Sequence, residues 1–210
     1  MEIENRILRF ERRKFLHIAI VGLFLSLFNT HSFAREIAGV KLSETISVKG
    51  IDQPLVLNGA GIRYKYFFKI YVAALYIPEK RHLENIILRS TPEHPYQANR
   101  VVMHFLYGPI SQVKIANSWV EGFKDNLASK VFSRVQARLY KFNRMFKNVY
   151  EGDVVLLDYL PNVGTRVTIN GLNRGVIKGA DFNHALLLVW LGDNPVVDEL
   201  KDALLGIEDE

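Results

Sequence analysis

Apolar and polar positions switch repeatedly between strand-like and helix-like periods along the chain. Glu44–Val48 and Leu55–Asn58 read as short strands around the turn-rich Lys49-Gly50-Ile51-Asp52-Gln53-Pro54. Tyr64–Ile77 is rich in aromatic and β-branched residues and stops at Pro78. As one strand, Gly61–Ile77 would run about 55 Å, far longer than strands usually are. A fold-back at Tyr66-Phe67 is predicted instead, although no Gly, Pro or Asn marks it. It would set Tyr71 opposite Ile62/Arg63; a straight strand would hold Arg63 and Tyr71 about 26 Å apart. His82–Leu88 reads as a short helix, Thr91–Pro95 as a loop and Arg100–Tyr107 as a strand.

Helical spacing then takes over. Ser111 caps a helix carrying Val113, Ala116, Trp119/Val120, Phe123 and Leu127 on one face. A second helix, Lys130–Lys147, carries Val131, Val135, Leu139, Phe142 and Phe146. Gly152 opens a strand pair, Asp153–Leu160 and Arg166–Asn170, and Asn170-Gly171 is a hairpin signal before a strand at Gly175–Ile177. Asp181 reads as the cap of Phe182–Leu191, so apolar that it must be buried on all sides, and Gly192 ends it. Asn194-Pro195 starts a last helix that closes at Gly206. Strands, helices, strands, helices: the order predicts an α+β fold, an antiparallel sheet covered on one face by a layer of helices, and argues against a βαβ dinucleotide fold.

The first 34 residues follow another logic. Arg6, Arg9, Arg12, Arg13 and Lys14 precede an apolar stretch, Phe15–Phe28, that is too short to span a bilayer. Ser32 and Ala34 supply the small residues of a secretory cleavage site. Residues 1–34 are therefore read as a signal peptide and 35–210 as the mature domain, exported to a periplasm; an uncleaved anchor is the alternative. The absence of cysteine excludes disulfides, thiolate metal sites and a Cys nucleophile, and it suits an oxidising compartment. The net charge of +5 is too modest to indicate nucleic acid as a partner.

Little of the chain carries recognisable chemistry. Gly59-Ala60-Gly61 lacks a third glycine and opens a strand, so it reads as a close backbone approach and not a nucleotide loop. The histidines show no metal-ligand spacing, and neither H-E-x-x-H nor G-x-S-x-G occurs. No metal or cofactor is expected. The second helix presents Arg134, Arg138, Lys141, Arg144 and Lys147 opposite its apolar stripe. That face is either solvated or, through Arg134, Arg138 and Lys141, in weak contact with an anionic membrane surface. Arg63 stands apart, one guanidinium in a strand of Ile, Tyr, Phe and Val. Such a charge is costly unless an anion meets it, or else it snorkels to water from an edge. Its fork suits a carboxylate or phenolate.

The stretches Leu57-Asn58-Gly59-Ala60-Gly61-Ile62-Arg63 and Lys69-Ile70-Tyr71-Val72-Ala73-Ala74-Leu75-Tyr76-Ile77-Pro78, then Gly152–Pro161, Ile169-Asn170-Gly171 and Trp190–Pro195 through Lys201–Gly206, together resemble the bacterial chalcone isomerase-like family. The resemblance implies an open-faced sandwich with a ligand cleft between sheet and helices. Its superfamily includes plant chalcone isomerases and plastid fatty-acid-binding proteins, and in both branches the arginine matching Arg63 meets the ligand anion. Tyr71 matches the position where the isomerases carry a Thr and is closer to the fatty-acid-binding branch. Asn117 matches, within one residue, an Asn of the first long helix. The isomerases' active-site Tyr has no match at Ile110 or Ser111, and their late Ser/Thr is matched by Val189. The resemblance thus implies ligand contacts from Arg63, Tyr71 and Asn117, with most polar helpers of catalysis missing.

Two functions follow as expectations. One is a non-catalytic binder of a small amphipathic carboxylate such as a fatty acid. The other is an isomerase, an intramolecular lyase of chalcone type, with Arg63 as its catalytic residue stabilising a phenolate or enolate. Loss of the polar helpers favours binding.

Overall fold

In the computed structural model the chain divides into two units, Met1–Phe33 and Ala34–Glu210, and the structure describes residues 34–79 and 97–207. The expected signal peptide, the helix His82–Leu88 and the loop Thr91–Pro95 fall outside the described residues, apart from Ala34.

The described residues begin with a two-stranded hairpin, β1 (Ala34–Ile37) and β2 (Val40–Ser43). Its loop is Ala38-Gly39, both at positive φ. The main sheet is antiparallel, with the order β3 (Thr45–Ile46), β4 (Leu55–Lys65), β5 (Phe68–Ile77), β6 (Asn99–Phe105), β7 (Val154–Leu160), β8 (Gly164–Ile169) and β9 (Leu172–Ile177). Between β6 and β7 run α1 (Gln112–Asn126) and α2 (Ser129–Asn143); after β9 come α3 (Ala180–Leu191) and α4 (Asp198–Leu205). This is the α+β architecture that the element order predicts.

The fold-back at Tyr66-Phe67 is present: β4 and β5 form a hairpin closed by those two residues, with Lys65 paired to Phe68. The Asn170-Gly171 turn has both residues at positive φ, as a type I′ hairpin requires. Ser111 caps α1, its Oγ accepting from the Lys114 amide at 3.3 Å. Three helix boundaries differ from expectation. Gly179, not Asp181, is the N-cap of α3; the Asp181 carboxylate lies in the first turn and is taken by Arg138, at 2.8 and 2.6 Å. The last helix starts at Asp198 and not at Asn194-Pro195. The helix expected to run to Lys147 ends at Asn143, yet Phe146 stays in the core because tight turns carry the chain back over it.

Side chains alternate across the sheet and build two clusters. On the helix side, Tyr71, Ala73 and Leu75 of β5 and Val101, Met103 and Phe105 of β6 pack with α1, α2 and α3. α3 is buried on all sides: Phe182, Ala185 and the whole run Leu186–Leu191 lie in the core. Trp119, Phe142, Phe146 and Trp190 meet in tilted and edge-on ring contacts of 5.0–5.9 Å. On the opposite side, Leu42, Leu55, Val72, Ala74, Tyr76 and Val102 form a smaller core. Gly59 and Gly61 have a packing role. A Cβ on Gly59 would fall 2.0 Å from the Ala203 carbonyl oxygen, and one on Gly61 would press on the Ala203 side chain. Their absence lets α4 lie directly on β4.

Candidate functional site

On the helix side, near the β4–β5 turn, a cleft opens between the sheet and the helices. Its floor is Arg63, Ile70, Tyr71, Met103 and Phe105; Ile110, Ile115, Ser118, Trp119, Phe146, Val189 and Val196 wall it. It encloses about 470 Å³ counted out to its open mouth. Its lining is overwhelmingly apolar, and none of the described lining residues is an Asp, Glu or His.

Arg63 and Tyr71 are direct cross-strand partners. The guanidinium carbon lies 5.6 Å from the centroid of the Tyr71 ring, a cation–π arrangement. The Arg63 Nε is buried and has no hydrogen-bond partner. Trp119 Nε1 is also buried without a partner. Two of the residues that line the cleft thus carry a buried, unsatisfied N–H donor, each an unfavourable burial in the absence of an acceptor.

Tyr71 completes the set. Its Oη accepts from Trp190 Nε1 at 2.9 Å, and no described residue accepts its own proton. Burial pushes the phenol above its ordinary value; the Arg63 charge and hydrogen bonds from Trp190 and Arg63 pull the other way without cancelling it. Tyr71 is therefore a neutral hydroxyl at neutral pH with a proton to donate.

The structure brings Arg63 and Tyr71 together and leaves Asn117 out. Asn117 is exposed on α1 and does not line the cleft; Ser118, one residue on, does. Ile110 and Val189 both line it, so the positions matched to polar isomerase residues form part of its apolar wall. Sequence reasoning missed Trp119 as a donor, because its helical spacing with Phe123 marks it only as core. On α2, Arg138 is not a free cation: it pairs with Asp181 and donates to the Lys178 carbonyl, while Arg134 and Lys141 are exposed.

The chain belongs to the chalcone isomerase-like family, whose model matches residues 34–206. Among solved structures, the fold is similar to a fatty-acid binding protein of Arabidopsis thaliana. The TM-score is 0.60 at 14% sequence identity, covering 82% of this chain and 95% of that one. No curated protein sequence matches the chain.

Proposed function

We propose that this protein is an exported, non-catalytic binder of a small amphipathic carboxylate of the fatty-acid class. The observation that carries this reading is the donor set. Arg63 Nε and Trp119 Nε1 are buried and unpartnered, and Tyr71 has a free proton, at a cleft with otherwise apolar walls. A carboxylate supplies the acceptor lone pairs for these donors and the negative charge for the guanidinium. An alkyl chain suits Ile70, Met103, Ile115 and Val189. The family and the fatty-acid binding protein of like fold support the same reading. Export rests on the basic, apolar and small-residue order of residues 1–34.

Turnover has less support. Chalcone cyclisation moves a proton, and the described lining offers no carboxylate or imidazole to take it and a phenol that resists ionisation.

Isothermal titration with dodecanoate and with its methyl ester tests the reading. The acid should bind at least about tenfold more tightly, as a desolvated charge pair requires. Equal affinity for the two would overturn it.

A further inference from the structure

The β4–β5 hairpin does not end at the cleft. It continues into a protruding tip on which Tyr66 is 86% and Phe67 96% exposed. Tyr64, Phe68 and Tyr107 are exposed beside them, and the Phe68 and Tyr107 rings lie 5.2 Å apart. Five large aromatic residues are thus exposed on and beside this tip, whereas apolar residues on protein surfaces are ordinarily scattered singly. Tyr66 also holds φ at 56°, which non-glycine residues rarely adopt. The turn fixes two aromatic rings outward at a conformational cost and gains no packing from them.

The hairpin itself carries charge of one sign, while the acidic residues of the neighbouring segment, Glu151 and Asp153, lie beside Phe105 and Gly108. Lys65 and Lys69 flank the tip and are exposed. Neither Gly59–Pro78 nor residues 97–110 contain an Asp or Glu. Arg63 lies three residues up the strand from Tyr66, about 10 Å away, so the tip and the cleft mouth belong to the same end of the molecule.

We propose that this tip docks on an anionic lipid bilayer, with Tyr66 and Phe67 in the interface and Lys65 and Lys69 against headgroup phosphates. Aromatic rings settle at headgroup depth, and flanking lysines add attraction to anionic lipid. A protruding turn with two ring tips fits this soft surface better than a protein partner, which meets broad, shape-matched patches. Docking would turn the cleft mouth toward the membrane. It involves β4–β5 and not the basic face of α2, where Arg138 is already paired with Asp181.

The test places a reporter at the tip of the full chain. Trp119 and Trp190 are both buried, so the indole introduced by Phe67→Trp is the solvent-sensitive one. On vesicles of phosphatidylethanolamine and phosphatidylglycerol its emission should shift to the blue and be quenched by lipids brominated on their acyl chains. Adding Lys65→Glu and Lys69→Glu should lower vesicle affinity at least about tenfold. An emission that anionic vesicles leave unmoved overturns the proposal, even if the chain sediments with them through Phe15–Phe28. An equal response to neutral phosphatidylcholine vesicles overturns the role of the lysines. Dodecanoate binding is read separately, so loss of that activity with docking intact would count against the ligand reading and not against this one.

Discussion

Tyr71 is held from two sides: across the strand by Arg63, its register partner, and from α3 by Trp190, whose Nε1 donates to its hydroxyl at 2.9 Å. A residue pair on one hairpin is thereby locked to a helix 119 residues away in sequence from Tyr71. The hydroxyl accepts from the core and keeps its proton for the cleft, which makes Tyr71 both a packing residue and a donor.

Arg63 and Tyr71 should therefore respond differently to truncation. Arg63→Ala should lose about 2–4 kcal/mol of affinity for dodecanoate, the range for removing one partner of a buried charged pair. Its stability without ligand should hold or rise, because an unpartnered buried donor is gone. Tyr71→Phe should lose about 1 kcal/mol of affinity. It should also lose about 1–3 kcal/mol of stability, since Trp190 Nε1 becomes an orphan. Titration calorimetry and urea unfolding separate the two. An Arg63→Ala protein that binds like wild type removes the basis for the site.

Trp119→Phe isolates the second unpartnered donor. A ring still packs between Phe142 and Trp190 but leaves part of the indole's volume empty, so unfolding free energy should fall, by less than the roughly 3–5 kcal/mol of full aromatic truncation. Dodecanoate affinity should fall by about 1 kcal/mol, one neutral hydrogen bond. Unchanged affinity would mean that Trp119 Nε1 does not reach the ligand.

The contrast between Arg63 and Trp119 shows what the sequence carries. A charge in an apolar strand is visible because the pattern offers it no partner, and the length of Gly61–Ile77 forces the fold-back that places Tyr71 beside it. An indole at helical spacing is indistinguishable from core until the neighbours of its nitrogen are known. The same limit explains Asp181. An acidic residue before an apolar run reads as a cap, but Arg138, 43 residues earlier in sequence, takes the carboxylate. The β1–β2 hairpin was hidden because its loop is Ala38-Gly39 and not one of the strong Asn-Gly or Asp-Gly signals.

On the face away from the cleft, Asp158 is 1% exposed and sits in register between Arg100 of β6 and Arg166 of β8, hydrogen-bonded to both. Arg166 also donates to the Lys49 carbonyl, tying the segment before β4 to the sheet. Asp158→Asn should cost about 3–5 kcal/mol of stability by leaving two cations without their counter-charge. Chemical denaturation measures this, and a change below 1 kcal/mol would mark the trio as solvent-screened. Ligand affinity should not change, because no member of the trio lines the cleft.

Two tyrosines predict an alkaline limit. Burial raises Tyr76 to about 12 from 10.0, with Glu44 adding to the rise and Arg100 opposing it, and burial also raises Tyr71. A raised folded-state value means that the native protein keeps protons that the unfolded chain releases. The stability contribution is then complete below about pH 10 and declines as pH rises toward about 12. Thermal melts across this window should fall steeply, and Tyr76→Phe should flatten the decline while losing the hydrogen bond to the Ser43 carbonyl. A melting temperature that is flat through pH 11 would contradict both shifts.

Tyr66→Gly separates the strain of the tip from its chemistry. Tyr66 is the first of the two loop residues and has φ of 56°, while Phe67 is not at positive φ. This is the φ pattern of a type II′ turn, whose first central position is ordinarily glycine. An L side chain in that region costs about 1–2 kcal/mol. Glycine removes the clash but brings back conformational entropy in the unfolded chain, roughly 0.5–1 kcal/mol. Almost no packing is lost, because the ring is 86% exposed. The net expectation is a stability gain of up to about 1 kcal/mol, read as a higher urea midpoint at unchanged slope. The gain should come with weaker attachment to anionic vesicles, because one of the two tip rings is gone. A variant that is less stable than wild type would show that the Tyr66 ring makes contacts that hold the hairpin, and its exposure would then not mark it as a docking residue.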